Sequence, residues 1–164
     1  MPPDRRRQGL IPSQGILENL TLAGLRLVSR LGWLNQRARK KLAKTWCDRF
    51  EVAAKGISQN VLTLSGGNQQ KVLLARWAAL EPDLYILNEP TRGIDVKTRE
   101  AIHRWIEDLA RAGRAILLVS SDTQELIRLS DRCVILRSGK VNGEMRPPDL
   151  TEHRLVAAMM EESR

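Results

Sequence analysis

The sequence predicts an α/β fold whose sheet is mostly parallel. Three short runs, Leu84–Leu87, Ala115–Val119 and Cys133–Leu136, are predicted as strands. The first is uniformly apolar, as expected for a parallel strand that is buried on both faces, and the second is also fully apolar. Segments with apolar residues at helical spacing separate these runs, and strands that alternate with helices in this way are typical of a parallel sheet. At 164 residues the chain has the size of one domain with a single core.

The first third of the chain is predicted to be a loop followed by two helices. Residues 1–14 contain three prolines and a run of arginines, which favours a loop. A helix is expected over residues 16–31, with Gly32 ending it, and a second helix over about residues 36–53. Trp33 lies between these helices and is expected in the core or on a docking surface.

Ser65, Gly66 and Gly67 come directly before a helix that is predicted from Gln69 to Leu80. This order places a small hydroxyl and free backbone N–H groups at a helix N-terminus, where the helix dipole favours an anion. Glycine lets the backbone approach a phosphate closely. Taken alone, this pattern is more often an ordinary capped turn.

The later elements follow from the same periodicity and from turn residues. The helix over residues 96–112 is closed by Gly113, and the pairs Ser138-Gly139 and Asn142-Gly143 are both predicted as turns. A short helix is expected over residues 123–129 and an amphipathic helix over residues 150–162.

The net charge of +8 lies in one third of the chain. Residues 1–55 carry 12 Lys and Arg against four acidic residues, and the remainder is neutral. Such a segment fits either a nucleic-acid contact or a cationic surface near an anionic membrane leaflet. No nucleic-acid motif accompanies the charge, and only one Tyr and one Phe are available for stacking on bases, which favours the second interpretation.

Composition also excludes several classes of protein. No apolar run approaches the roughly 18–20 residues that cross a bilayer, and the arginines near the start lead into no signal-peptide core. Cys47 and Cys133 have no metal-like spacing, so two reduced thiols are expected. His103 and His153 have charged neighbours and are expected on the surface.

Two stretches together resemble the nucleotide-binding domains of ABC transporters. The first reads Leu64-Ser65-Gly66-Gly67-Asn68-Gln69-Gln70-Lys71-Val72, and the second reads Leu87-Asn88-Glu89-Pro90-Thr91-Arg92-Gly93-Ile94-Asp95. The residues in these two stretches are similar to those in the second ATPase domain of bacterial sugar importers of the ribose and galactoside type. The resemblance implies a P-loop NTPase-like fold with a helical subdomain.

The resemblance extends over nearly all of residues 1–164. Residues from 1 to about 80 correspond to a Q-loop-like segment, the helical subdomain and the signature helix. Residues from about 81 to 164 correspond to the Walker B strand, the D-loop, the position of the family's histidine and the C-terminal elements. The family's phosphate-binding Walker A strand and loop stand before this region, so we expect the sequence to begin after them.

The resemblance also assigns roles to individual residues. Glu89 matches the catalytic residue that polarises water, although a solvated Glu before a turn explains it equally well. Asn88 matches the Mg²⁺ position, weakened because Asn lacks the usual carboxylate's charge. The residues expected to contact nucleotide are Leu64, Ser65, Gly66, Gly67, Asn68, Gln69, Asp95 of the D-loop and Ser121 at the histidine position.

Several parts of a self-sufficient ATP site are missing or altered in the sequence. The pattern Gly-x-x-x-x-Gly-Lys-Ser/Thr is absent, because Gly139-Lys140 lacks the upstream glycine and is followed by Val141. Pro3 stands where active domains commonly carry the Q-loop glutamine, and Ser121 replaces the histidine that contacts the γ-phosphate.

These features imply a composite site. ATP and Mg²⁺ would be shared with another ABC ATPase domain that supplies Walker A, and membrane-spanning permease subunits would be further partners. The expected role is coupling ATP binding and hydrolysis to sugar uptake, at the inner face of the cell membrane. Two alternatives stay open: an inert remnant of a disrupted importer gene, and a basic nucleic-acid-binding module.

Overall fold

The computed structural model describes residues 8–160. Pro3, the arginine run and the last residues of the predicted terminal helix therefore lie outside the described residues. The chain divides into two compact units, the first ending at Leu117 and the second beginning at Leu118. Within residues 8–160, no helix combines the length and the apolar content that a membrane span requires.

The regular elements alternate between helices and short strands. The helices are α1 (Ile16–Thr21), α2 (Gln36–Arg49), α3 (Gly66–Ala78), α4 (Val96–Arg111), α5 (Thr123–Leu129) and α6 (Glu152–Met160). The strands are β1 (Ser29–Arg30), β2 (Trp33–Leu34), β3 (Leu84–Asn88), β4 (Ala115–Val119), β5 (Cys133–Arg137) and β6 (Lys140–Met145). Short 3₁₀ turns cover Leu25–Val28 and Val61–Thr63.

The single helix predicted over residues 16–31 is wrong. Helix α1 ends at Thr21, and after the 3₁₀ turn the chain forms an antiparallel hairpin in which Ser29 pairs with Leu34 and Arg30 with Trp33. The two residues between these strands have left-handed backbones, φ 51° at Leu31 and 83° at Gly32, as a two-residue hairpin turn requires. Gly32 therefore turns a hairpin and does not end a helix.

The core of the first unit forms around α1 and α3. Ile16 and Leu20 of α1 and Leu73 and Leu74 of α3 are fully buried. Arg76 of α3 is buried as well, and burial lowers its pKa to about 10. Its guanidinium donates to the carbonyl oxygens of Asn19 (2.5 Å) and Gly9 (2.6 Å) and to Asn19 Oδ1 (3.0 Å). These bonds tie α1 and the segment before it to the last turn of α3.

Strands β3 and β4 form the parallel pair that the sequence predicts. Helix α4 connects them, and the backbone N–H of Ala115, which opens β4, donates to the carbonyl of Asp83, directly before β3, at 2.9 Å. Strand starts that meet in this way define a parallel β-α-β unit. The prediction that β3 is buried on both faces is wrong, because Tyr85 and Leu87 are buried whereas Leu84 and Ile86 are about half exposed.

Helix α4 lies as its apolar periodicity predicts, with Ile102 and Ile106 buried and Gly113 in the left-handed region after its end. The surface position predicted for His103 is wrong, because its side chain is buried between these two isoleucine positions. Trp105, on the same helix, stacks edge-on with Tyr85 at 5.7 Å between ring centroids.

The second unit packs α5 and α6 around the β5–β6 hairpin. Leu126, Cys133, Ile135, Leu150 and Leu155 form its core. Both cysteines of the chain are free, and burial raises the pKa of the Cys133 thiol and that of Cys47, the latter to about 11.

The hairpin confirms one predicted turn and corrects the other. Arg137 pairs with Lys140, so Ser138 and Gly139 form a two-residue turn with φ values of 47° and 76°. Asn142-Gly143 is not a turn but lies inside β6. Ile135 pairs with Gly143 and Leu136 with Val141, so Asn142 is the extra residue of a β-bulge.

Candidate nucleotide-contacting site

The N-terminus of α3 begins with a capped turn. Ser65 is the N-cap residue, in an extended backbone conformation, and its side-chain oxygen accepts from the backbone N–H of Asn68 at 3.4 Å. The Ser65 side chain is exposed and Gly66 is half-buried, whereas Leu64 is buried and anchors the turn. The Ser65 hydroxyl is thus open to solvent, whereas Gly67 and Gln69 in the first turn of the helix are buried.

Asn68 fixes the orientation of the Ser65 hydroxyl. Its Oδ1 accepts from the backbone N–H of Ala53 at 2.8 Å, so its Nδ2 faces the other way and donates to Ser65 Oγ at 2.9 Å. Ser65 Oγ therefore acts as an acceptor within the chain. Its own O–H donates to no group among residues 8–160, which leaves an exposed donor at the helix N-terminus.

Gly67 is required by a close contact inside the first unit. A Cβ atom at this position would lie 2.7 Å from Thr98 Oγ1 and 2.9 Å from Asp95 Oδ2. Both distances are shorter than carbon–oxygen contacts allow, so only glycine fits while Asp95 and Thr98 keep their places. The absent side chain of Gly67 makes room for the N-terminus of α4.

Asp95 is the N-cap of α4 and is held by Thr98. Its Oδ1 accepts from the backbone N–H of Thr98 and its Oδ2 from the Thr98 hydroxyl, both at 2.9 Å. These two hydrogen bonds lower the pKa of the Asp95 carboxyl, so it is ionised at neutral pH. A fixed carboxylate thus stands beside the α3 N-terminus.

The glutamines of α3 point inward. Gln69 is buried, and its Nε2 donates to the carbonyl of Leu64 at 3.1 Å, which places its amide inside the turn and not on the exposed surface. Gln70 is buried as well and donates to the carbonyl of Pro90 at 2.6 Å. The two side chains brace the capped turn from within and connect α3 to the turn after β3.

Asn88 and Glu89 stand at the carboxyl end of β3, both half-buried. Glu89 has φ 49°, a left-handed backbone that an L-residue rarely adopts and that costs about 1–3 kcal/mol. The backbone N–H of Arg92 donates to the Glu89 carbonyl at 3.3 Å and closes the turn. Strain of this kind concentrates at functional positions.

Ser121 belongs to the second unit and is exposed, between β4 and α5. The neighbouring Asp122 caps α5 by accepting from the backbone N–H groups of Gln124 (3.1 Å) and Glu125 (3.2 Å). The backbone N–H of Asp122 in turn donates to Ser120 Oγ at 3.0 Å. This turn presents the Ser121 side chain outward.

The first unit therefore brings together the α3 N-terminus, Asp95 and the Pro90 turn. Thr98 and Gln70 complete the arrangement, and neither was predicted from the sequence. Asp95 itself has the residue type of an N-cap, whereas no local pattern marks the Thr98 hydroxyl or the Gln70 amide.

The exposed Ser65 hydroxyl and the neighbouring N–H groups suit a phosphate oxygen, which accepts hydrogen bonds only. No group of three His, Cys, Asp or Glu side chains that could hold a metal ion occurs in the described part of the chain. The geometry at Ser65 fits a phosphate contact.

The sequence profile of the ABC transporter family matches residues 4–92, more than half of the chain. The chain belongs to the ABC transporter family. The matched region includes the α3 N-terminus, β3 and Glu89 of the site described above, whereas Asp95, Thr98 and Ser121 lie beyond it. ABC ATPases in general use ATP with Mg²⁺, and those of ABC importers dimerise and work with membrane-spanning permease subunits.

The individual relatives to which this ABC domain is similar include ATP-binding proteins of sugar import. It is 40% identical over 156 residues to the ribose import ATP-binding protein of Roseobacter denitrificans, covering 95% of this chain and 30% of that protein. It is 42% identical over 158 residues to ribose import ATP-binding protein RbsA 2 of Rubrobacter xylanophilus, covering 96% of this chain and 30% of that protein. The chain thus spans about a third of the length of these relatives.

A solved ABC structure confirms the fold class. A dimeric ATP-binding cassette in a post-hydrolysis state, bound to ADP and Pi, aligns with a TM-score of 0.73 and 30% identity, over 85% of this chain and 60% of that one. The predicted α/β architecture of an ABC ATPase, represented here in part, is therefore confirmed.

Proposed function

We propose that this chain contributes the signature motif, Leu64–Gln69, to a composite ATP site whose Walker A loop comes from another ABC ATPase domain. The observation that carries this proposal is the exposed Ser65 hydroxyl. Its oxygen is occupied by Asn68, so its proton is available to a γ-phosphate that a partner domain presents. The N–H groups of the first helical turn add a favourable dipole.

The ATP site that this chain's own Asn88, Glu89 and Ser121 would help to form is weaker than a complete ATP site. The Walker A pattern does not occur among the 164 residues, so the residues that grip the β- and γ-phosphates would have to be supplied elsewhere. Asn88 offers Mg²⁺ a neutral carbonyl oxygen in place of a carboxylate, and Ser121 replaces an imidazole. Glu89 is the residue that would polarise water, with Asp95 as the D-loop contact across the dimer.

The proposed physiological role is sugar import. The similarity to ribose import ATP-binding proteins supports this role. ATP and Mg²⁺ at the shared site would drive the coupling, and permease subunits would pass the sugar through the membrane. The chain would act at the cytoplasmic face of the cell membrane as a peripheral subunit or as part of one.

The test is to mix the chain with an ABC ATPase domain that carries intact Walker A and Walker B motifs, and to measure ATP-dependent association and turnover. We expect ATP to promote a heterodimer. Ser65→Arg should abolish the ATP-promoted association, because the longer cationic side chain fills the space that the γ-phosphate would approach. Ser58→Arg is the matched control, since Ser58 is exposed in the same unit but outside the motif.

The chain alone is expected to show no ATP turnover. Steady hydrolysis by the purified chain that disappears in a Glu89→Gln variant would contradict the composite site. Equal loss of association in the Ser65→Arg and Ser58→Arg variants would also contradict it, because the effect would then come from charge alone. Gly67→Asp is a poorer probe, since any side chain there collides with Thr98 first.

The two other candidates have direct tests. A nucleic-acid-binding module predicts a salt-dependent gel shift that depends on the basic segment. An inert remnant predicts no ATP-dependent partner, and reading the genomic DNA upstream of the Met1 codon for a frame that encodes Walker A distinguishes it from an active importer subunit.

A further inference from the structure

The β1–β2 hairpin exposes large apolar side chains at its tip. Leu31 is 92% exposed and Trp33 82% exposed, and Leu27 and Leu34 beside them are also exposed. Solvent-exposed apolar groups of this size in one short segment indicate a surface that another phase or molecule covers. We name residues 26–37 the basic hairpin.

The charge of the surrounding segment is entirely positive. Residues 19–47 contain seven Lys and Arg and no Asp or Glu. One of them, Arg39, is largely buried and pairs with Glu18. The exposed ones, Arg26, Arg30, Arg37, Lys40, Lys41 and Lys44, form no ion pair with any described residue.

The hairpin register places charge and aromatic ring together. Arg30 and Trp33 are directly paired across the two strands, so their side chains project from the same face. An indole beside a guanidinium is the combination that prefers the boundary between lipid headgroups and acyl chains. The aliphatic Leu31 extends beyond this pair at the turn.

We propose that the basic hairpin is a direct contact with an anionic lipid surface, with Trp33 and Leu31 entering the headgroup region and the arginines binding lipid phosphates. Charge complementarity selects this occupant, because the basic hairpin contains three exposed arginines, Arg26, Arg30 and Arg37, and no acidic residue, which matches an anionic leaflet. A nucleic acid matches the charge too, but it offers no apolar phase for Leu27, Leu31 and Leu34, and only one aromatic ring is present for stacking.

The test is co-sedimentation of the full chain with phosphatidylcholine vesicles that contain or lack phosphatidylglycerol, without nucleotide. We expect binding only with phosphatidylglycerol, and loss of binding as salt rises. Each basic residue near a leaflet strengthens binding about fivefold, so Arg30→Glu should weaken it by more than that factor. Trp33→Ser should weaken it through loss of apolar burial.

Two matched controls carry the same chemical changes elsewhere. Arg104→Glu reverses an exposed charge on α4, and Leu136→Ser removes an exposed apolar side chain from the β5–β6 hairpin, and both should leave vesicle binding unchanged. Trp33→Phe should keep binding but lose the fluorescence quenching that brominated lipids cause in the unmodified chain. Circular dichroism of each variant confirms that the fold is kept.

The proposal is overturned if pure lipid vesicles do not bind the chain, or if the control variants lose binding as much as the hairpin variants. It is also overturned if Trp33→Phe leaves the quenching unchanged, or if DNA or RNA binds the same face more tightly than the vesicles. Because the assay contains no ATP, failure here leaves the proposed ATP-site role intact, and failure of that role leaves this proposal intact.

Discussion

The side-chain oxygen of Asn68 accepts a hydrogen bond from the backbone N–H of Ala53 at 2.8 Å. This bond connects the loop after α2 to the first turn of α3. It also decides which end of the Asn68 amide faces Ser65, and through that bond which way the Ser65 hydroxyl can donate. A backbone group outside the signature motif thus sets the polarity of the motif's exposed donor.

Asn68→Asp tests this arrangement. The carboxylate keeps an acceptor for Ala53 but removes the donor to Ser65 Oγ and brings negative charge towards an incoming phosphate. We expect ATP-promoted association with a Walker A-bearing partner to weaken by about tenfold or more, equivalent to about 1.4 kcal/mol. Sedimentation velocity with and without ATP measures the association.

Asn60→Asp is a matched control. The carboxylate can still accept from the backbone N–H of Leu62 and cap the 3₁₀ turn before the motif, but it loses an amide donor outside the motif, the one that binds the Pro12 carbonyl at 3.2 Å. The control should associate with the partner as the unmodified chain does. If it weakens association as much as Asn68→Asp does, the orientation of Ser65 is not the cause.

Gly67→Ala should destabilise the first unit. The new methyl group meets Thr98 Oγ1 and Asp95 Oδ2 at distances under 3.0 Å, and overpacking of this kind costs about 1–3 kcal/mol. Urea unfolding of Gly67→Ala, Thr98→Ala and the double variant measures the free energy of unfolding in a double-mutant cycle. Because Thr98→Ala removes the closest oxygen, the double variant should lose less stability than the sum of the two single changes. Strict additivity would show that the two positions do not touch.

Asp95 should make stability depend on pH in acid. Its pKa lies below the ordinary carboxyl value of 3.8 in the folded chain because Thr98 donates two hydrogen bonds to the ionised form. A carboxyl with a lowered folded pKa stabilises the fold fully above the unfolded pKa, and this contribution is lost as pH falls through the folded pKa. The stability difference between the unmodified chain and Asp95→Asn should therefore be largest near neutral pH and shrink below about pH 4. Urea unfolding across this range measures it, and a difference that grows in acid would contradict the assignment.

The outer face of β3 and β4 should make the isolated chain self-associate. Leu84, Ile86 and Leu117 are each about half exposed on strands whose composition suits full burial. Ile86→Thr with Leu117→Thr should shift the chain towards monomer, since threonine keeps the β-branched shape or β-propensity while reducing apolar area. Sedimentation velocity reports the oligomeric state. A concentration-independent monomer of the unmodified chain would contradict this prediction.

Sequence reasoning succeeded where the signal is local. The apolar stripe of α4 is bounded by Asp95 and Gly113, and such a pattern has one good structural solution. It failed between residues 22 and 34, because leucines at helical spacing imitate a helix while Leu31 and Gly32 adopt the left-handed pair that a tight hairpin needs. It also failed at Asn142-Gly143, since a turn and a bulge favour the same residues.

The candidate site likewise contains parts that the sequence predicts and parts that it does not. The N-cap role of Ser65 follows from the order Ser-Gly-Gly before a helix, and the structure contains that cap. The burial of Gln69 and the fit of Gly67 against Thr98 depend on contacts between segments that are distant in sequence. No local pattern reports such contacts, so the sequence could name the motif but not the packing that shapes it.

The N-terminal turn of α3 packs against residues that are synthesised after it. Pro90, Asp95 and Thr98 follow the signature motif in the chain, yet they supply the acceptor for Gln70 and the walls around Gly67. A nascent chain that ends before Thr98 would contain the residues of the motif without the contacts that fix their positions. Synthesis therefore completes the packing around the α3 N-terminus only after the turn that follows β3 and the start of α4 have emerged.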